Sequence, residues 1–266
     1  MDSFMPFSPS IIAGAATVNV FATLCTLSLL SVALRIIWLA IRSRMAGEEE
    51  KPHVYMFFQT QLGNYAVCLL LSMTFNTFAG ILALPWLIAR GITVGPACTA
   101  QAVLIQVGTL SSGYFTVIIA IHTFMSLVLK RGQSLLLSRC AMAFGWALAA
   151  VMAALPFFVA KPNGDIYGPD GIMCGIRSAY AQLRFFLHLL PILVASVLSA
   201  ILYSVIFLVL RGTIVIQGGI RLTLDPTERW SGRDENYNRF LARVARSMIW
   251  YPVGVCDTNT IKMIFG

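Results

Sequence analysis

The chain is poor in charge. Only 11% of its 266 residues are Asp, Glu, Lys or Arg, where a soluble domain carries about a quarter, so water is not the main solvent of this protein. Acidic residues are the scarcer sign, 11 against 19 basic ones, and none falls in the five long apolar stretches described below. That absence argues against a proton-coupled transporter, which works through buried carboxylates. No cluster of His, Cys, Asp or Glu has metal-ligand spacing and no glycine loop could cradle a phosphate, so neither a metal nor a cofactor is expected. The opening residues MDSFMPFSPS carry no basic segment of the kind that begins a signal peptide, and the apolar run behind them is too long for one. The first apolar stretch is therefore expected to stay in the mature protein.

What the chain has in abundance is apolar length: 58% of its residues are hydrophobic. A helix needs about 20 residues to cross the roughly 30 Å of bilayer hydrocarbon. Five stretches qualify, at about 11–41, 61–88, 97–129, 140–160 and 185–210. They are continuously apolar rather than alternating, which excludes barrel strands and leaves helix as the way to satisfy the backbone in lipid. The expected fold class is an all-α polytopic transmembrane helix bundle.

Positive charge is distributed unevenly between the spans. Arg42, Arg44 and Lys51 follow span one, Lys130, Arg131 and Arg139 follow span three, and Arg211 opens a long basic segment after span five. The alternate segments hold far fewer cations. The positive-inside rule then places the N-terminus outside, in a multi-pass protein of the plasma membrane. The formal charge of +8 sits beside apolar spans, so its nearest partner is the lipid bilayer rather than nucleic acid. Cys98, at the start of span three, and Cys174, in the segment after span four, then lie on the oxidising side at similar height. A disulfide between them is expected, two free thiols being the alternative. Cys25, Cys68, Cys140 and Cys256 are expected to be free.

Residues 161–180 are rich in Gly, Pro and Asp, which favours turns over helix. A tether from Cys174 to span three would lay this segment over the helices as a lid. Residues 211–238 contain four glycines and a proline and are read as a polar, mobile cytoplasmic loop. Beyond it Arg239, Arg243 and Arg246 share one helical face, and a sixth helix enters the membrane at about 239–256. Between Ser247 and Cys256 there is apolar chain for about 15 Å, half a bilayer. The sixth span is therefore expected to be partial, the seventh absent, and residues 257–266 an atypical tail.

These features in order, with Trp146 in span four, Pro191 in span five and Trp250-Tyr251-Pro252 in the sixth helix, resemble seven-helix G-protein-coupled receptors. The stretches LGNYAVCLLLS at 62–72, GPACTAQAVLIQVG at 95–108, IAIHTF at 119–124 and MIWYPV at 248–253 resemble the fungal glucose-sensing and cyclic-AMP-receptor-like group. The resemblance implies a receptor that couples an extracellular small molecule or nutrient to a heterotrimeric G protein. It implies a C-terminally truncated one, whose signalling is impaired by the missing helices. Two departures limit the carry-over. Met73 stands where many such receptors have Asp, and Lys130-Arg131 stand where D-R-Y would end span three.

Polar residues inside a bilayer are costly, so each is a functional candidate. Gln101 and Gln106 in span three, His188 near the start of span five and Trp250 are the expected ligand-binding residues, although helix–helix hydrogen bonding would explain the glutamines as well. Lys130, Arg131, Arg239, Arg243 and Arg246 are the expected G-protein contacts. His122 is read as a hydrogen-bonded packing residue. The run Gly108-Thr109-Leu110-Ser111-Ser112-Gly113 puts serines in the membrane without the G-x-S-x-G elbow, so no catalytic residue and no enzyme are expected. A small transporter and a non-signalling membrane protein remain the alternatives.

Overall fold

The computed structural model describes residues 4–45, 60–129, 131–160, 164–210, 214–216 and 220–222. Five helices in it are long and apolar enough to cross a membrane: Ile12–Leu39, Gln61–Ala89, Pro96–Leu127, Leu135–Phe158 and Ser178–Val209. The first lies within α1, Pro9–Met45, and the second joins α2, Gln61–Ile81, to the short α3, Leu84–Ala89. The third is α4, Pro96–Leu127, and the fourth is α5, Leu135–Phe158. The fifth passes from a 3-10 turn at Ser178–Tyr180 through α6, Ala181–Arg184, and a π-turn at Phe185–Leu189 into α7, Leu190–Leu210. The partial sixth helix, the tail and most of the loop at 211–238 lie outside the described residues.

Local chemistry explains the ends that hydropathy misplaces. Thr60 caps α2, its hydroxyl accepting from the Gly63 amide at 3.1 Å, which meets one of the unpaired donors of a helix N-terminus. Ser134 does the same for α5 through the Leu137 amide at 3.2 Å. That cap starts α5 at Leu135, ahead of the expected Cys140, and brings Arg139 inside the helix. The fifth span likewise begins ahead of the expected Phe185, because its charged residue, Arg184, is neutralised by Asp170 at 3.1 Å.

Among the described residues there are three two-stranded antiparallel pairs. β1, Phe4–Pro6, lies along β2, Gly91–Thr93, and the Phe7 amide donates to the Arg90 carbonyl at 2.8 Å. Arg90 ends α3 in the left-handed region, at φ 55°, a conformation that turns the chain into β2. Gly91 is required there because a Cβ would run into the Phe4 ring and the Met5 carbonyl. β3, Tyr167–Asp170, pairs with β4, Met173–Ile176, through a turn at Gly171, φ 70°. β5, Ile214–Ile216, pairs with β6, Ile220–Leu222. Part of the expected mobile loop is thus paired strand, where Ile214-Val215-Ile216 is a β-branched run of the kind strands favour.

The chain divides into two compact units, Met1–Phe115 with Cys140–Pro191, and Thr116–Arg139 with Ile192–Gly266. In lipid, apolar burial does little to hold helices together, and close packing with hydrogen bonds does more. The first unit shows both. The Ala22 methyl lies 2.7 Å from where a Cβ on Gly80 would stand, so α1 and α2 approach closely. The Tyr114 ring lies over Gly145 of α5, and its hydroxyl donates to the Ala141 carbonyl at 3.0 Å. Trp146 meets Phe75 edge-on at 5.9 Å and Phe115 at 5.5 Å between centroids. In the second unit Ala120, Val128, Tyr203 and Ile206 form a buried cluster.

Candidate functional site

The Cys98 end of the first unit is closed by the β3–β4 hairpin. Its attachment points all come from sequence-distant residues. Cys174 in β4 is disulfide-bonded to Cys98 at the start of α4, with Cα atoms 5.3 Å apart. The Tyr167 hydroxyl of β3 donates to the Ala153 carbonyl of α5 at 2.9 Å. Asp170 takes both guanidinium nitrogens of Arg184, at 3.2 and 3.1 Å, a two-pronged geometry that fixes direction as well as charge. Burial pushes the Asp170 carboxyl above the usual range, the facing Arg184 offsetting part of the rise. Burial also raises the Tyr167 phenol, which keeps that hydroxyl a donor. Beneath the hairpin, Cys98, Ala102, Trp86, Ile92, Ile166 and Ile176 belong to one apolar cluster.

The two glutamines lie within this closed end. Gln101 is fully buried. Its Nε2 donates to the Ala79 carbonyl of α2 at 2.7 Å, and its Oε1 accepts the Cys174 amide of β4 at 2.8 Å. One side chain therefore ties α2, α4 and the hairpin together beside the disulfide. Gln106, about one and a half turns along α4, makes a similar link to the π-turn. Its Nε2 donates to the Leu187 carbonyl at 2.6 Å, and its Oε1 meets His188 Nδ1 at 3.0 Å. With that amide oriented by the carbonyl, His188 must carry its proton on Nδ1, which leaves Nε2 as an acceptor.

Pro191 explains why a side chain is needed there. A proline has no N–H for the carbonyl four residues back, which is Leu187. In a membrane an unpaired carbonyl is costly, and the Gln106 amide meets it. The π-turn at Phe185–Leu189 is the accompanying local distortion.

The structure pairs Gln106 with His188, while Gln101, about one and a half turns away on α4, is bonded separately to α2 and the hairpin. Lys130, Arg239, Arg243, Arg246 and Trp250 lie outside the described residues. Arg131 is described and exposed, its amide bonded to the Met125 carbonyl at 3.0 Å. His122 meets Gln133 Oε1 at 3.0 Å, and Gln133 Nε2 reaches Met125 Sδ at 3.3 Å. Among the described residues no group of three His, Cys, Asp or Glu could hold a metal.

Several contributors were not legible in advance. Asp170 and Arg184 were unremarkable loop charges, and Asn76 passed unnoticed in span two. Asn76 Oδ1 accepts from Thr109 at 3.0 Å. It also lies 2.7 Å from where a Cβ on Gly108 would stand, so the glycine makes room for the bond.

No protein-family model matches the chain, and no curated protein matches it in sequence. Among solved structures it is similar to squid rhodopsin, with a TM-score of 0.55 and 13% identity over 77% of this chain and 55% of that one. The chain thus spans about half the length of the squid protein. A likeness at this identity shows fold alone. The chain is a multi-pass membrane protein with an all-α fold of the seven-helix receptor type.

Proposed function

We propose that this protein is a G-protein-coupled receptor of the plasma membrane, N-terminus outside, of the fungal glucose-sensing and cyclic-AMP-receptor-like kind. It receives an extracellular small molecule or nutrient at its Cys98 end and signals to a heterotrimeric G protein at the other. The observation that carries this reading is the receptor-type fold with a hairpin anchored by the disulfide and by Gln101, and with Gln106 bonded to His188 further along α4.

Ligand entry would be an exchange of hydrogen bonds. Both glutamine amides are engaged with protein partners, so a polar ligand acts by replacing some of those bonds, with Trp250 as the further ligand contact that the sequence suggests. A polyol or sugar offers the paired donors and acceptors that such an exchange requires. Because Gln106 holds the Leu187 carbonyl, its release loosens the start of α7, and that loosening is the step that would be passed on to the proposed G-protein contacts Lys130, Arg131, Arg239, Arg243 and Arg246. A ligand can shift this equilibrium only by its difference in affinity between the two arrangements.

The test is a thermal-unfolding screen of the purified chain against sugars, polyols and cyclic nucleotides, followed by nucleotide exchange on an added G protein. Saturable stabilisation by one chemical class, lost in Gln106→Leu, is the expected result. Movement of that compound across reconstituted vesicles, with no effect on nucleotide exchange, would instead make the protein a transporter.

A further inference from the structure

We infer that the far end of α1 is a binding site for the phosphate of an anionic phospholipid, built from Arg42 and Trp38. The apolar span of α1 ends at Leu39. Arg42 therefore stands about 4.5 Å further along the axis, at headgroup height. Its guanidinium carbon lies 5.4 Å from the centroid of the Trp38 ring, one helical turn back. A cation so placed is attracted by the ring face, and a guanidinium is the group that takes a phosphate through two parallel bonds. Among the described residues no acidic side chain forms an ion pair with Arg42.

Trp38, Ile41, Arg42 and Met45 line a cleft of about 360 Å³. The three apolar members are more than half exposed, Met45 at 84%, which is the condition of a wall that faces lipid. One side of the cleft is cationic and the rest is apolar, so its occupant carries a negative head and an acyl chain. A zwitterionic lipid, which carries no net negative charge, fits less well. Placement at the anionic leaflet follows from the orientation reading, whereas binding itself depends only on the span of α1 and not on receptor activity.

Native mass spectrometry of the full chain in detergent micelles, titrated with phosphatidylserine or phosphatidylcholine, tests the site and is blind to leaflet. Phosphatidylserine is expected to bind more tightly, and Arg42→Gln to weaken it about five-fold, the effect of one cation at a membrane surface. Arg42→Lys, which keeps the charge without the stacked plane, should fall between the two. Arg90→Gln removes the same charge at the other end of the first unit's helices and should leave binding unchanged. Equal binding of the two lipids, an Arg42→Gln chain that binds like the parent, or an equal loss in Arg90→Gln would overturn the inference.

Discussion

Gln106 uses both ends of its amide on consecutive residues of one turn, the Leu187 carbonyl and the His188 ring. Replacing it with Leu keeps the volume and removes both bonds, so the loss should be that of a buried carbonyl and a buried imidazole left unpaired, about 1–3 kcal/mol. Thermal unfolding in detergent should show Gln106→Leu melting several degrees below the parent, and an unchanged melting point would mean that water takes over both partners. Asp170 offers a test through pH. Burial holds its folded-state pKa above the ordinary value, so the folded protein binds this proton more tightly than the unfolded one. Its contribution to stability is therefore greatest below about pH 4 and declines as pH rises through the raised value. Asp170→Asn cannot titrate, so its melting point should fall less than the parent's over that interval, although the variant also loses the ion pair.

Among the elements, the start of α7 shows how a helix defect and a side chain two helices away come as a set. If Gln106 is needed because Pro191 leaves Leu187 without its helical partner, then Pro191→Ala supplies an N–H to that carbonyl and makes Gln106 partly redundant. A double-mutant cycle measured by unfolding should give Gln106→Leu a cost about 1 kcal/mol smaller in the Pro191→Ala background. Additive effects would separate the two residues. The helices themselves could be read from the sequence because twenty apolar residues in a row have no other use in lipid. Their starts could not: Ser134 and Arg184 look alike polar until one caps an amide and the other meets Asp170. The hairpin β3–β4 was legible only as turns, since YGPD and MCGI contain glycine and proline and carry no alternating pattern. Gln101 and Gln106 stood out as polar residues in a span. Their partners, the carbonyls of Ala79 and Leu187 and the amide of Cys174, are backbone groups that no residue type marks.

For the molecule as a whole, the disulfide closes a loop of 76 residues that contains all of α5. Constraining so long a loop in the unfolded chain is worth about 4 kcal/mol in water, and less where helices stay inserted on unfolding. Cys98→Ser with Cys174→Ser should lower the melting point, and a reducing agent should lower the parent's while leaving the double variant's alone. Topology made this pair legible, because two cysteines on one side of a membrane at similar height have few other partners. The receptor-type fold was legible from the order of the spans, cysteines, Trp146 and Pro191, whereas the way the hairpin is fastened was not.

The pairing of β1 with β2 sets an order of assembly. β1 precedes α1, but the strand it pairs with follows α1, α2 and α3. Phe4–Pro6 must therefore wait, without its partner, until the two spans between them have been threaded through the membrane, and only then can it settle against Gly91. This strand is thus among the last segments at that end to find its place.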